Sequence, residues 1–329
     1  MNLLITGANG FIGRALCSRL LRGTTALPEA TAMSASNWGP IGRLTLMDLR
    51  FEGPEVARVR RLSGSIADPA LLARAFDTPV DVVFHLASVP GGSAELNYEL
   101  GRQVNLDATL KLLEAARAQA TGGSRPPVFV FASSIAVLGS PLPAPVSDST
   151  PLRPQLTYGA HKLLGEILVS DFSRRGWVDG RSIRLPGIVA RPPQKSGLLS
   201  AFLSDILREL AAGRSFDCPI PADSTTWLMS VHRLVENLLH AAMLPAEACT
   251  DTRAWTLPAL RVSMGELVQA VTDIYGREVL ERVTYRSNPA LEANFGRYPP
   301  LSTPAAEAVG FRHDGDLVTL VRQALLPVN

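Results

Sequence analysis

The chain has 329 residues, 46% of them hydrophobic, a formal net charge of +2 and three cysteines. That length suits one large α/β domain with a smaller lobe, and the small net charge without a dense basic run excludes nucleic acid as the main partner. No run approaches the ~18 apolar residues of a membrane span, and residues 1–7 lack the charged leader of a signal peptide. Cys17, Cys218 and Cys249 are far apart and lack metal-ligand spacing. They read as reduced, buried thiols of a cytoplasmic protein with no metal centre.

Residues 2–6 are an apolar run followed at once by Gly7-Ala8-Asn9-Gly10-Phe11-Ile12-Gly13 and then by an amphipathic stretch over 14–21. The pattern predicts strand, glycine turn and helix. Gly7 permits the tight turn, Gly10 lets the backbone approach a pyrophosphate, and Gly13 lets the helix pack closely on the strand. Free N–H groups at the helix N-terminus then face the phosphates. Residues 23–42, rich in Ala, Thr, Ser and Pro, read as a surface loop or insertion. A second strand over 44–47 ends at Asp48, whose carboxylate can accept both ribose hydroxyls of NAD and repel the extra phosphate of NADP. Arg50 lies two residues on.

Asp81-Val82-Val83-Phe84-His85-Leu86-Ala87 is the next clear strand, apolar enough for a sheet buried on both faces. The loop over 88–93 follows at its C-terminal edge, where ligands bind in open α/β sheets. Residues 105–118 have helical periodicity, and 128–132 form a further strand with Ser133 and Ser134 at its end. Strands alternating with helices behind a nucleotide-binding turn predict a Rossmann-type, doubly wound parallel sheet. In the run Thr157-Tyr158-Gly159-Ala160-His161-Lys162, the phenol and the ammonium share one helix face. A tyrosine titrates near pH ~10, so it becomes a usable base only where a nearby positive charge favours the phenolate.

Together Gly7, Gly10, Gly13, Asp48, His85-Leu86-Ala87, Asn105, Phe131-Ala132-Ser133-Ser134 and Tyr158-x-x-x-Lys162 resemble the extended short-chain dehydrogenase/reductases, the NAD-dependent epimerase/dehydratase family. The resemblance covers roughly the first 190 residues. It implies an NAD enzyme with Ser134, Tyr158 and Lys162 as the catalytic set. It also implies a cofactor surface made of Gly7, Asn9, Gly10, Phe11, Ile12, Gly13, Asp48, Ser65, Ile66, Leu86, Ala87, Asn105, Tyr158, Lys162 and Leu185. Gly64-Ser65-Ile66 departs from the family's usual Gly-Asp-Ile/Leu, which weakens the adenine contact.

Family members that act on nucleotide sugars usually carry an Asn just past the Arg of the sixth strand and an Arg before a later Val-Asp-Asp. Here the stretches read Ile183-Arg184-Leu185-Pro186-Gly187 and Thr225-Thr226-Trp227-Leu228-Met229-Ser230-Val231, without either. A diphosphate would be poorly held. The runs over 134–143, 170–176 and 183–186 are instead similar to the D-erythronate dehydrogenase subgroup. That resemblance implies NAD-dependent oxidation of the C2 hydroxyl of a small sugar acid, with Tyr158 as base. The alternative is a nucleotide-sugar 4-epimerase or dehydratase with tightly bound NAD. A non-catalytic NAD-binding regulator is a further rival, disfavoured because Ser134, Tyr158 and Lys162 are all present.

A sugar acid needs a carboxylate clamp, for which the arginine fork is suited. Arg184 and Arg233 are the preferred candidates, with Arg191, Lys195, Arg214 and His232 also considered. Ser88, Ser134 and Tyr158 complete the expected substrate set, and Trp227 is read as either a pocket wall or core. Residues 1–185, with 231–258 returning, are expected to form the NAD-binding domain. Residues 186–230 and 259–329 are expected to form the substrate lobe. The family resemblance implies a homodimer through helices over 106–118 and 162–172.

Overall fold

Strands β1 (Asn2–Thr6), β2 (Arg43–Asp48), β3 (Val59–Ser63), β4 (Val82–His85), β5 (Val128–Ser134) and β6 (Asp179–Leu185) form one sheet with a last strand, Ala254–Thr256. They belong to a computed structural model that describes residues 1–22, 40–52, 56–193 and 199–327. Most of the expected loop over 23–42, and Lys195, lie outside those residues. The order across the sheet is Ala254–Thr256, β6, β5, β4, β1, β2, β3. Every pairing is parallel. The chain winds outward both ways from β1 and β4, which creates a crevice where strand order reverses.

Apolar residues on successive strand positions serve opposite faces, because strand side chains alternate. Leu3, Ile5, Phe84, Val130 and Ile183 pack on one side with helices Phe11–Arg22 and Val231–Met243. Leu4, Val83, Phe129 and Phe131 pack on the other with helices Ala108–Thr121 and Thr157–Arg174. Strand β3 carries Arg60 and Arg61 and is mostly half-buried. An edge strand of this composition has no apolar run to mark it in the sequence.

A further cluster, including Val189, Leu207, Val262, Leu267, Val271 and Leu320, forms a separate core. Around it lie a three-stranded sheet of Gly187–Val189, Thr225–Ser230 and Leu260–Ser263, and a parallel pair, Phe216–Cys218 with Val283–Tyr285. Among the described residues no helix is long and apolar enough to cross a membrane.

Candidate active site

One cavity of about 810 Å³ runs along the C-terminal ends of the strands, from the glycine turn to the second core. At one end Gly7 adopts a left-handed φ of 69°. A Cβ there would stand 2.7 Å from the Ala87 nitrogen, and one on Gly13 would stand 2.2 Å from the Gly7 carbonyl oxygen. The turn is therefore closed to side chains and open to an elongated ligand. Asp48 ends β2 at its rim, its Oδ2 accepting from Asn9 N at 2.8 Å and its Oδ1 from Leu49 N at 2.7 Å. A carboxylate has about four acceptor sites, so both oxygens keep capacity for a ribose diol. The residues present fit a dinucleotide.

Behind this rim a buried hydrogen-bond chain fixes the strand ends. Thr6 Oγ1 accepts from Ala87 N at 3.3 Å and meets His85 Nδ1 at 2.7 Å. His85 Nε2 meets Thr109 Oγ1 at 2.8 Å, and that hydroxyl donates to the Asn105 carbonyl at 2.9 Å. Of the two neutral tautomers, the one with its proton on Nε2 satisfies both ends. Burial, helped by the nearby Lys162 charge, holds His85 at about 3. Asn105 extends the chain, its Oδ1 accepting from Ser88 Oγ at 3.1 Å and from Val89 N at 2.7 Å. Asn105 thus pins the loop after β4 and does not line the cavity itself.

Helix Thr157–Arg174 carries Tyr158 and Lys162, and no side chain of its own caps its start. Glu95, from the short helix Gly91–Leu96 that follows β4, supplies the cap by accepting from Thr157 N at 2.5 Å. Burial pushes the Tyr158 phenol above its ordinary range; hydrogen bonds with Ser134 and Ser88, then the Arg191 charge, pull the other way. Lys162 Nζ lies 5.6 Å from the Tyr158 ring centre and donates to the Ala132 carbonyl at 2.7 Å. Burial brings its ammonium down to about 7, against the pull of Glu166. The positive charge that opposes the upward shift of the phenol is that of Arg191, whereas the sequence pointed to Lys162.

Gly7, Asn9, Gly10, Phe11, Ile12, Gly13, Asp48, Ser65, Ile66, Leu86, Ala87, Ser88, Ser134, Tyr158, Lys162 and Leu185 all line the cavity. Arg184 and Arg233 do not. Arg184 is gripped by Glu166 through Nε and Nη2, and Arg233 is paired with Glu236. Arg214 is paired with Glu209 at the surface. Trp227 serves both of its expected roles: it is fully buried, donates to the Pro299 carbonyl at 2.8 Å, and also lines the cavity. Ser134 likewise caps the turn Ile135–Leu138 while bonding to Tyr158.

Sequence reasoning missed Glu95 and Glu166. Glu95 acts across 62 residues, and no local pattern announces it. Glu166 could have been found, since it follows Tyr158 and Lys162 at the same four-residue step on one helix face.

A sequence model of the NAD dependent epimerase/dehydratase family matches residues 3–240. The chain belongs to that family. Its cofactor is NAD, and it is an NAD-dependent oxidoreductase. The chain is 40% identical to D-erythronate dehydrogenase from Cupriavidus necator, over 98% of this chain and 97% of that one. It is 31% identical to D-erythronate dehydrogenase from Haemophilus influenzae, over 98% of each. The solved structure of the nucleoside-diphosphate-sugar epimerase from Agrobacterium tumefaciens superposes with a TM-score of 0.87 at 32% identity, over 98% of this chain and 92% of that one. An L-threonine dehydrogenase from Clostridium difficile shares the fold, with a TM-score of 0.80 at 21% identity over 98% and 96%.

Proposed function

We propose that the protein oxidises the C2 hydroxyl of a small, D-erythronate-like sugar acid to the 2-oxo acid, with NAD as the oxidant. The observation that carries this reading is the 40% identity to a D-erythronate dehydrogenase across nearly the whole chain. Bound NAD supplies the acceptor for the C2 hydride. Tyr158, as phenolate, takes the hydroxyl proton; Ser134 donates to the reacting oxygen as it becomes a carbonyl; Ser88 holds the phenol from the other loop. Lys162 lends positive charge to the phenolate. Asp48 and the turn at Gly7, Gly10 and Gly13 hold the dinucleotide.

Residues 1–185 with 231–258 are assigned to NAD binding, and 186–230 with 259–329 to the substrate. Separate apolar clusters support most of this division, although Ala306 and Phe311 pack into the core of the NAD-binding part. Exposed Leu110, Leu164 and Ile167 support a homodimer through the two helices that carry them. The free cysteines, with Cys17 pushed up to about 12 by burial, suit a reducing cytoplasm.

The second reading, a nucleotide-sugar 4-epimerase or dehydratase, is favoured by the likeness to the Agrobacterium structure. Against it, buried Thr226 stands in the cavity where an arginine would serve a diphosphate. The test is a screen of four- to six-carbon aldonates and uronates with NAD and with NADP. Net NADH formation on an aldonate supports the dehydrogenase. Conversion of UDP-glucose without net NADH supports the epimerase.

A further inference from the structure

Arg191 stands just beyond the strand Gly187–Val189 and lines the cavity. Its backbone N–H donates to Ser204 Oγ at 3.0 Å, fixing it to helix Phe202–Ala211. Its guanidinium carbon lies 5.3 Å from the Phe11 ring centre, so the head reaches back to the glycine turn. Arg191 is therefore held through its backbone on one side, and its head lies by Phe11 on the other, along the cavity wall.

No carboxylate among the described residues pairs with it, whereas Arg184, Arg214 and Arg233 are each neutralised by a glutamate. Its Nε is buried without a hydrogen-bond partner. A cation withdrawn from water without a counter-charge is costly unless a ligand supplies one. Burial also lowers the Arg191 pKa, and the nearby Tyr158 phenolate opposes that shift. The free cation and the phenol thus face the same space.

Substrate chemistry makes this closeness informative. In a 2-hydroxy acid the carboxylate and the reacting hydroxyl sit on adjacent carbons, so the cation that holds one must stand beside the base that deprotonates the other. In a nucleotide sugar the diphosphate leaves from C1, across the ring from the 4-hydroxyl, and its cation would stand well away from the phenol.

We propose that Arg191 is the carboxylate-binding residue, its guanidinium fork holding the acid so that the C2 hydroxyl falls against Tyr158 and Ser134. This rests on the sugar-acid reading above and names the residue that selects an acid over a neutral polyol.

The test uses wild type, Arg191→Ala and Arg191→Lys at saturating NAD. Substrates are the 2-hydroxy acid that wild type oxidises fastest and the primary amide of the same acid. Wild type is expected to prefer acid over amide by about 10²-fold in kcat/KM, the scale of a lost charge-assisted pair. Arg191→Ala should raise the acid KM by about the same factor and bring the acid-to-amide ratio near unity, with NAD affinity within about twofold of wild type. Arg191→Lys should recover part of the preference.

The proposal is overturned if wild type treats acid and amide alike. It is also overturned if the variants keep the wild-type ratio, including the case in which NAD affinity falls and Arg191 serves the dinucleotide phosphates instead. If wild type oxidises no 2-hydroxy acid, the sugar-acid reading itself fails. An active wild type with an indifferent variant sinks only the role of Arg191.

Discussion

Glu166 holds the Arg184 guanidinium with both carboxylate oxygens, Oε1 at 3.0 Å from Nε and Oε2 at 2.7 Å from Nη2. Ser133 Oγ adds a third contact to Oε1 at 2.5 Å. The two side chains are only 11% and 4% exposed, so the pair is shielded from water. Deleting one member of such a pair strands a buried charge and costs about 3–5 kcal/mol. Arg184→Met should lose stability on that scale in urea denaturation, and Arg184→Met combined with Glu166→Leu should regain much of it. The folded single variant should keep its KM for the acid, because Arg184 does not line the cavity. A large rise in KM would instead return Arg184 to the substrate set.

Tyr158→Phe removes the proton acceptor and leaves the ring. Turnover should fall about 10²–10⁴-fold, while NAD affinity measured by equilibrium dialysis stays near that of wild type. Burial holds the phenol above its ordinary range. In the oxidative direction kcat/KM should therefore climb through the alkaline range as phenolate forms. The residual activity of the variant should lack that limb.

Gly13→Ala would place a methyl against the Gly7 carbonyl and 2.7 Å from the Ala8 Cα, both backbone atoms that cannot swing away. Overpacking of this kind costs about 1–3 kcal/mol, and the turn must open to accept it. NAD affinity should drop by roughly tenfold or more, together with a lower Tm. An alanine variant with wild-type affinity would mean the turn is not the cofactor cradle.

His85 is neutral in the fold, near 3, whereas a free imidazole titrates near ~6.5. Between those values the unfolded chain binds the extra proton, so its contribution to stability is complete above pH ~6.5 and is lost as pH falls toward ~3. Thermal melts of wild type and His85→Gln across this window should converge at acid pH, with wild type showing the steeper decline. Parallel curves would show that His85 is charged in the fold.

Much of this was legible in the sequence because it is local. The glycine spacing after the first apolar run, Asp48 at a strand end, and the four-residue step from Tyr158 to Lys162 each encode a geometry that one element completes. Contacts between elements were not legible. Arg184 looked as available as Arg191 until the helix carrying Glu166 packed on β6 and neutralised one but not the other. Strand β3 was hidden because an edge strand tolerates Arg60 and Arg61. The cap from Glu95 joins segments that only the fold brings together.

The most direct test of the central claim follows one atom. Wild-type protein, NAD and D-erythronate deuterated at C2 should yield NADH carrying the deuterium at C4 and an equal amount of 2-oxo acid, detected by mass spectrometry. Unlabelled NADH from the same substrate would move the oxidation to another carbon. Absence of net NADH, with UDP-glucose epimerised instead, would contradict the account outright.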